Sequence, residues 1–167
     1  MTVLGSKLFL QTLKAACVVA GMMAAMPSSY AQSGGPFAGL EGAWTGTGTI
    51  LVGDGGSERI RCKANYTVAS EGNALQQVLH CASDSYKFNL SSDVMNRGGA
   101  LTGTWNEASR NINGGIEGRA STGQFNALVT ANGFAAELSM VAHGNKQTIA
   151  ISSKNTDLRG VQITLAR

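Results

Sequence analysis

The chain has 167 residues, with 13 basic and ten acidic side chains, 22 glycines and three cysteines, a length that holds one ordinary domain. Residues 1–31 carry two of the basic side chains, Lys7 and Lys14, and none of the acidic ones, so the remainder has a net charge of +1. That near balance excludes a nucleic-acid binder, which needs a dense cationic face.

Lys7 and Lys14 flank a short basic start, followed by the apolar run Ala15 to Met26 and then Ser29-Tyr30-Ala31, a small-x-small pattern before Gln32. This is the form of a secretory signal peptide over residues 1–31. The run is roughly half a membrane span, and no second long apolar stretch follows. The mature protein is therefore expected to be periplasmic or secreted, with no membrane span. Cys17 would leave with the signal, and Lys14 stands three before it, where a lipid-anchoring signal would want an aliphatic residue. Residues 32–38 read as a flexible Gly/Ser spacer, and residues 39–167 as the folded domain.

Turn residues then recur every ten to fourteen positions: Gly53 to Gly56, Glu71-Gly72-Asn73, Asn96 to Gly99, Asn132-Gly133, Gly144-Asn145 and Asn155-Thr156-Asp157. Between them apolar and polar residues alternate with period two, the mark of an antiparallel meander. The pattern predicts ten strands, at 43–52, 57–68, 74–82, 86–95, 100–106, 111–119, 123–131, 134–142, 146–153 and 159–167. Inward positions include Ile50, Val52, Leu90, Leu101, Ile112, Ile116, Val129, Leu138, Met140, Ile149, Ile151, Ile163 and Leu165. Ten consecutive strands with one polar face close most economically into a single up-and-down barrel, which removes both sheet edges. A two-sheet sandwich is the structural rival.

The clearest strand is the second. Ile60, Cys62, Ala64, Tyr66 and Val68 share one face; Arg59, Arg61, Lys63, Asn65 and Thr67 share the other. The basic trio reads as a solvated outer face or as a docking patch for an acidic partner. Folding strands two and three about Glu71-Gly72 sets Ala64 opposite Leu79, Tyr66 opposite Gln77 and Cys62 opposite Cys81. Directly opposed residues lie within the reach of a disulfide, and an exported chain favours one. A Cys62–Cys81 bridge is expected as a staple across one hairpin.

The domain opens Leu40-Glu41-Gly42-Ala43-Trp44-Thr45-Gly46. This Gly-x-Trp start resembles the calycin superfamily of lipocalins, fatty-acid-binding proteins and nitrobindin-like barrels. In lipocalins the Trp plugs one barrel end and an Arg from a late strand packs over it. The resemblance implies a closed end at Trp44. Arg167 ends the tenth strand with inward parity, and a cation–π cover over Trp44 is expected. The chain departs from these families in having no helix after the last strand and no helical lid between the first two. Nitrobindin-like proteins hold haem through a His near the C-terminus; the last histidine here is His143, in a turn, so haem is not carried over. Gly99 to Trp105 also looks like an avidin strand, without the several tryptophans that wall a biotin site. As a whole, residues 32–167 resemble small secreted proteobacterial proteins, a likeness that implies no activity.

No catalytic set emerges. His80 alternates outward and His143 adjoins a turn, with no inward carboxylate beside either, so no triad, metal site or cofactor is expected. Glu107 and Glu117 approach across one hairpin but read as outward or edge positions. Gly46, Gly48, Gly103, Gly114 and Gly118 fall on the inner face, either as bends of the barrel wall or as room for a ligand. Tyr66, Tyr86, Phe88, Trp105 and Phe125 line the inside, as plain core or as the wall of an apolar pocket with the two tyrosine hydroxyls as polar handles. The leading expectation is a non-enzymatic barrel for a small apolar or amphipathic ligand. The alternatives are a module that binds an envelope protein, such as a protease or lysozyme inhibitor, suggested by the order Trp44, Cys62, Cys81, Trp105, or an envelope structural or stress protein.

Overall fold

The computed structural model describes residues 34–154 and 156–167. The expected signal peptide at 1–31, with Cys17, lies outside the described residues, as does Asn155 of the last turn. Ten antiparallel strands follow in order: β1 Gly42–Val52, β2 Ser57–Ala69, β3 Ala74–Ala82, β4 Lys87–Arg97, β5 Ala100–Glu107, β6 Ile112–Ser121, β7 Gln124–Ala131, β8 Phe134–His143, β9 Lys146–Ser153 and β10 Leu158–Ala166. Each pairs with its chain neighbour, and β10 returns to pair with β1, closing one barrel. The sandwich alternative is thereby set aside. Closure follows from the pattern: an open sheet would leave two rows of backbone donors and acceptors unpaired.

Tight turns set the register. Gly98 and Gly99 lie at φ +58° and +87° between β4 and β5, the left-handed conformations a two-residue hairpin demands. The five inner glycines answer a steric need of the wall. A Cβ on Gly46, Gly48, Gly103, Gly114 or Gly118 would collide with a carbonyl oxygen of the adjoining strand: Thr164, Gln162, Asp93, Thr130 and Asn126 respectively. None of the five lines the internal cavity. They are where the wall bends, not where it makes room.

The inside of the barrel is apolar and the outside polar. On β2, Ile60, Cys62, Ala64 and Tyr66 are buried while Arg59, Arg61, Lys63, Asn65 and Thr67 are exposed. This polarity is opposite to that of a lipid-facing barrel, whose outward band is apolar. Among the described residues no helix is long and apolar enough to cross a membrane.

The pairing of β2 with β3 is the one expected: Cys62 faces Cys81, Ala64 faces Leu79, Tyr66 faces Gln77 and Val68 faces Leu75. Cys62 and Cys81 are bridged, with Cα atoms 4.1 Å apart. The strand bounds match the alternation to within about two residues. Ile112 faces the cavity as expected but is only partly covered. It opens β6 at the rim and is 39% exposed, because a strand's first residue has no layer of wall beyond it.

One barrel end is closed by the chain's own entry. The residues read as a flexible spacer are, over their described part, a plug. Gly35 N donates to Glu71 O at 2.7 Å and Phe37 N to Gly72 O at 3.0 Å, tying the segment to the β2–β3 turn. Phe37 and Leu40 are buried, and the Phe37 ring stacks on Phe125 at 5.4 Å. Two apolar side chains thus outweigh the Gly/Ser composition around them. Trp44 is fully buried beside them, and its indole N–H donates to Leu40 O at 2.8 Å. The Arg167 guanidinium lies 4.8 Å from the Trp44 ring and donates through Nη1 to Glu41 O at 2.7 Å. The floor therefore has the arrangement that the Gly-x-Trp start implies.

Candidate ligand cavity

The barrel encloses a cavity of about 660 Å³. Its floor is Phe37 and Phe125, and its middle is walled by aliphatic side chains such as Leu79, Leu101, Ile116, Leu138 and Ile163. Cys81 of the disulfide lies in the same wall. Val52, Tyr86, Arg110, Asn132 and Leu158 also line it. These belong to the turn-bearing end opposite the plug, so the cavity opens there.

All five aromatics singled out in the sequence lie on this one cavity, at different depths. Phe125 and Tyr66 are buried at the bottom. Tyr86, which precedes β4, stacks parallel with Phe88 at 6.3 Å near the mouth. Trp105 is edge-on to Phe134 at 6.1 Å, and its Nε1 donates to Thr130 O across β6 at 3.1 Å. The indole can lie there because Gly114 stands beneath it; a Cβ at that position would come within 2.7 Å of Trp105 Nε1.

Few polar atoms inside remain free. The Tyr66 hydroxyl donates to Gln147 Oε1 at 2.8 Å. Burial pushes its pKa up to about 12, and the Gln147 bond pulls only weakly the other way. Tyr66 is therefore not an open polar handle, contrary to expectation. Gln147 is itself buried, and its Nε2 has no partner among the described residues. Its parity with Ile149 and Ile151 marks it as inward-facing. Ser92 Oγ donates to Gln77 Oε1 at 3.2 Å higher in the wall.

Glu107 corrects the reading of outward carboxylates. It is 4% exposed and lines the cavity near the mouth. Its carboxylate accepts from Asn89 N at 2.9 Å, Ser109 N at 3.1 Å and Arg110 N at 2.8 Å. Desolvation raises its pKa, but these backbone donors together win and hold it below the usual glutamate value. The side chain folds back onto the N–H groups of Ser109 and Arg110 in the β5–β6 turn and of Asn89 on β4. Glu117, on the exposed face opposite Thr102, is not part of the site, so the two carboxylates form no pair. His80 is on the outer wall, with Nδ1 2.8 Å from Asn89 Oδ1. Among the described residues no three His, Cys, Asp or Glu side chains gather to hold a metal.

Sequence reasoning missed Phe37 and Arg110. Phe37 was hidden in a low-complexity stretch. Arg110, in the β5–β6 turn, lines the cavity, stands 5.1 Å over the Phe88 ring and donates through Nη1 to Lys87 O at 3.1 Å and to Glu107 Oε2 at 3.5 Å. A turn residue has no parity, so alternation could not aim it inward.

No protein-family model matches the sequence, and no curated protein matches it. Among solved structures the chain is similar to an S-type phycobiliprotein lyase, CPES, from Guillardia theta. The TM-score is 0.57 at 11% identity, over 78% of this chain and 89% of that one. The likeness is one of fold alone.

Proposed function

We propose that the protein is an exported, non-enzymatic barrel that binds one small apolar or amphipathic molecule inside. The observation that carries this reading is the cavity: about 660 Å³, closed at the Phe37 end and open at the other, within the usual range of small-molecule sites. A filled core would leave no such volume, since protein interiors pack to crystal density. The similar fold of a protein named as a phycobiliprotein lyase adds support for the barrel itself. The placement of His80 on the outer wall and of the Glu107 carboxylate against three backbone amides favours binding over catalysis. The Cys62–Cys81 bridge and the leader-like pattern of residues 1–31 favour a periplasmic or secreted setting.

A protein-docking role has less support. The large apolar side chains exposed on the outer wall, Leu51, Val78, Met95, Leu128 and Val141, lie on separate strands and form no common face with the Trp44 and disulfide positions, which are internal. The direct test is organic extraction of natively purified protein followed by mass spectrometry. The reading expects a recurrent apolar species in near-stoichiometric amount; repeated extraction of nothing but buffer components speaks against it.

A further inference from the structure

The cavity is chemically polarised along its depth. Below the mouth the polar side chains pair with one another, Tyr66 with Gln147 and Gln77 with Ser92; Gln147 Nε2 has no partner among the described residues, but Gln147 does not line the cavity, and none of these groups carries a positive charge. At the mouth stands Arg110, the one cation lining the cavity among the described residues. Resting on the binding reading above, we infer that the cavity takes an amphipathic oxyanion tail-first, with its head held at the mouth by Arg110.

Several features of the mouth make Arg110 available. The Glu107 charge beside it is held by three backbone amides, and its own contact with Arg110 is long, 3.5 Å. The bonds Arg110 makes run through Nη1; Nε and Nη2 donate to no protein acceptor among the described residues. The side chain is 45% exposed, so a head group reaches it without the barrel opening. Phe88 beneath the guanidinium, stacked on Tyr86, fixes its plane. Asn111 of the same turn and Asn113 of β6 also line the mouth, each bringing a carboxamide that can donate. Asp157, in the β9–β10 turn, also lines the mouth and repels a negative head toward the Arg110 side.

The orientation follows from solvation. An oxyanion carried to the floor would lose water and meet Phe37, Phe125 and aliphatic walls, at a cost far above that of leaving it at the mouth. The apolar tail has the opposite preference. The planar guanidinium fork suits a carboxylate or a phosphate monoester alike.

The test is displacement of a neutral naphthylamine dye from the protein by dodecanoate, dodecyl phosphate and dodecanol, each below its aggregation concentration. One or both oxyanions are expected to bind about tenfold more tightly than dodecanol, the scale of a charge-assisted hydrogen bond; which of them wins identifies the head. Arg110→Gln should abolish that preference, so that oxyanions and dodecanol bind alike, with circular dichroism showing that the variant is folded. Arg110→Lys, with its charge kept, should retain part of the preference. Arg159→Gln, removing an exposed cation that does not line the cavity, should retain it all. Equal binding of acid and alcohol, or loss of the preference in Arg159→Gln as well, overturns the inference and leaves the cavity reading standing. Failure of all three compounds to displace the dye overturns the inference, and failure of the dye itself to bind removes both.

Discussion

Truncating Phe37 to alanine tests whether the chain's entry is a plug or a tether. The ring is 1% exposed and lies parallel to Phe125 with centroids 5.4 Å apart. A buried Phe→Ala change costs about 3–5 kcal/mol, of which an aromatic pair accounts for about 0.5–1.5. Phe37 also borders the cavity, so part of its surface packs against open volume and the lower end applies, about 3 kcal/mol. For a domain of this size that lowers Tm by about 10 °C. Urea unfolding of residues 32–167, followed by circular dichroism, should show an earlier midpoint with an unchanged m-value. A loss below about 1 kcal/mol would mean that Trp44 and Leu40 seal the floor alone and that the segment before them is dispensable.

Replacing Cys62 and Cys81 together by serine should lower stability by about 2–4 kcal/mol with the β spectrum retained, and native protein should show no reactive thiol at either position. Trp44→Ala should cost about 3–5 kcal/mol, and Arg167→Ala about 1 kcal/mol through the lost cation–π contact, both read by urea unfolding. Glu107→Gln should destabilise the fold by about 1–3 kcal/mol at neutral pH, because two turn amides and one of β4 lose a charged acceptor. The pKa of Glu107 is depressed in the folded state, so its contribution is present above its ordinary value of 4.5 and is lost as pH falls through the lower folded value. The variant should therefore lose less stability on acidification than the parent, and parallel pH profiles would contradict the assignment. Tyr66, whose pKa is raised from the ordinary 10.0 to about 12, should stay protonated well above pH 10, and alkaline spectrophotometric titration checks this.

The wall was legible in the sequence because a strand's side chains alternate and its turns punctuate. Once Glu71-Gly72 is taken as the turn, the opposition of Cys62 and Cys81 follows arithmetically. Arg167 was legible for the same reason: parity with Ile163 and Leu165 places it inward, and ten strands bring it beside Trp44. What escaped lies where alternation stops. Phe37 acts through a turn whose shape depends on the carbonyls of Glu71 and Gly72, two strands' worth of folding away from any local rule. Glu107 folds back onto amides of the β5–β6 turn and of β4 that only the finished fold brings together. Arg110 sits in that turn, with no face to read. Gln147 had the right parity, but its partner Tyr66 lies 81 positions away, and polarity argued against an inward site. The inner glycines left two readings open, and only the adjoining carbonyls separate them.

The central claim is that the inside of this barrel is a site. Titration of the neutral naphthylamine dye against residues 32–167 and against Phe125→Trp tests it most directly, because Phe125 lies at the floor and a larger ring there fills volume. The account predicts saturable binding of one dye per chain, lost or greatly weakened in Phe125→Trp while its circular dichroism and cooperative unfolding persist. Non-saturable binding, or equal binding by a Phe125→Trp protein that remains folded, would contradict it.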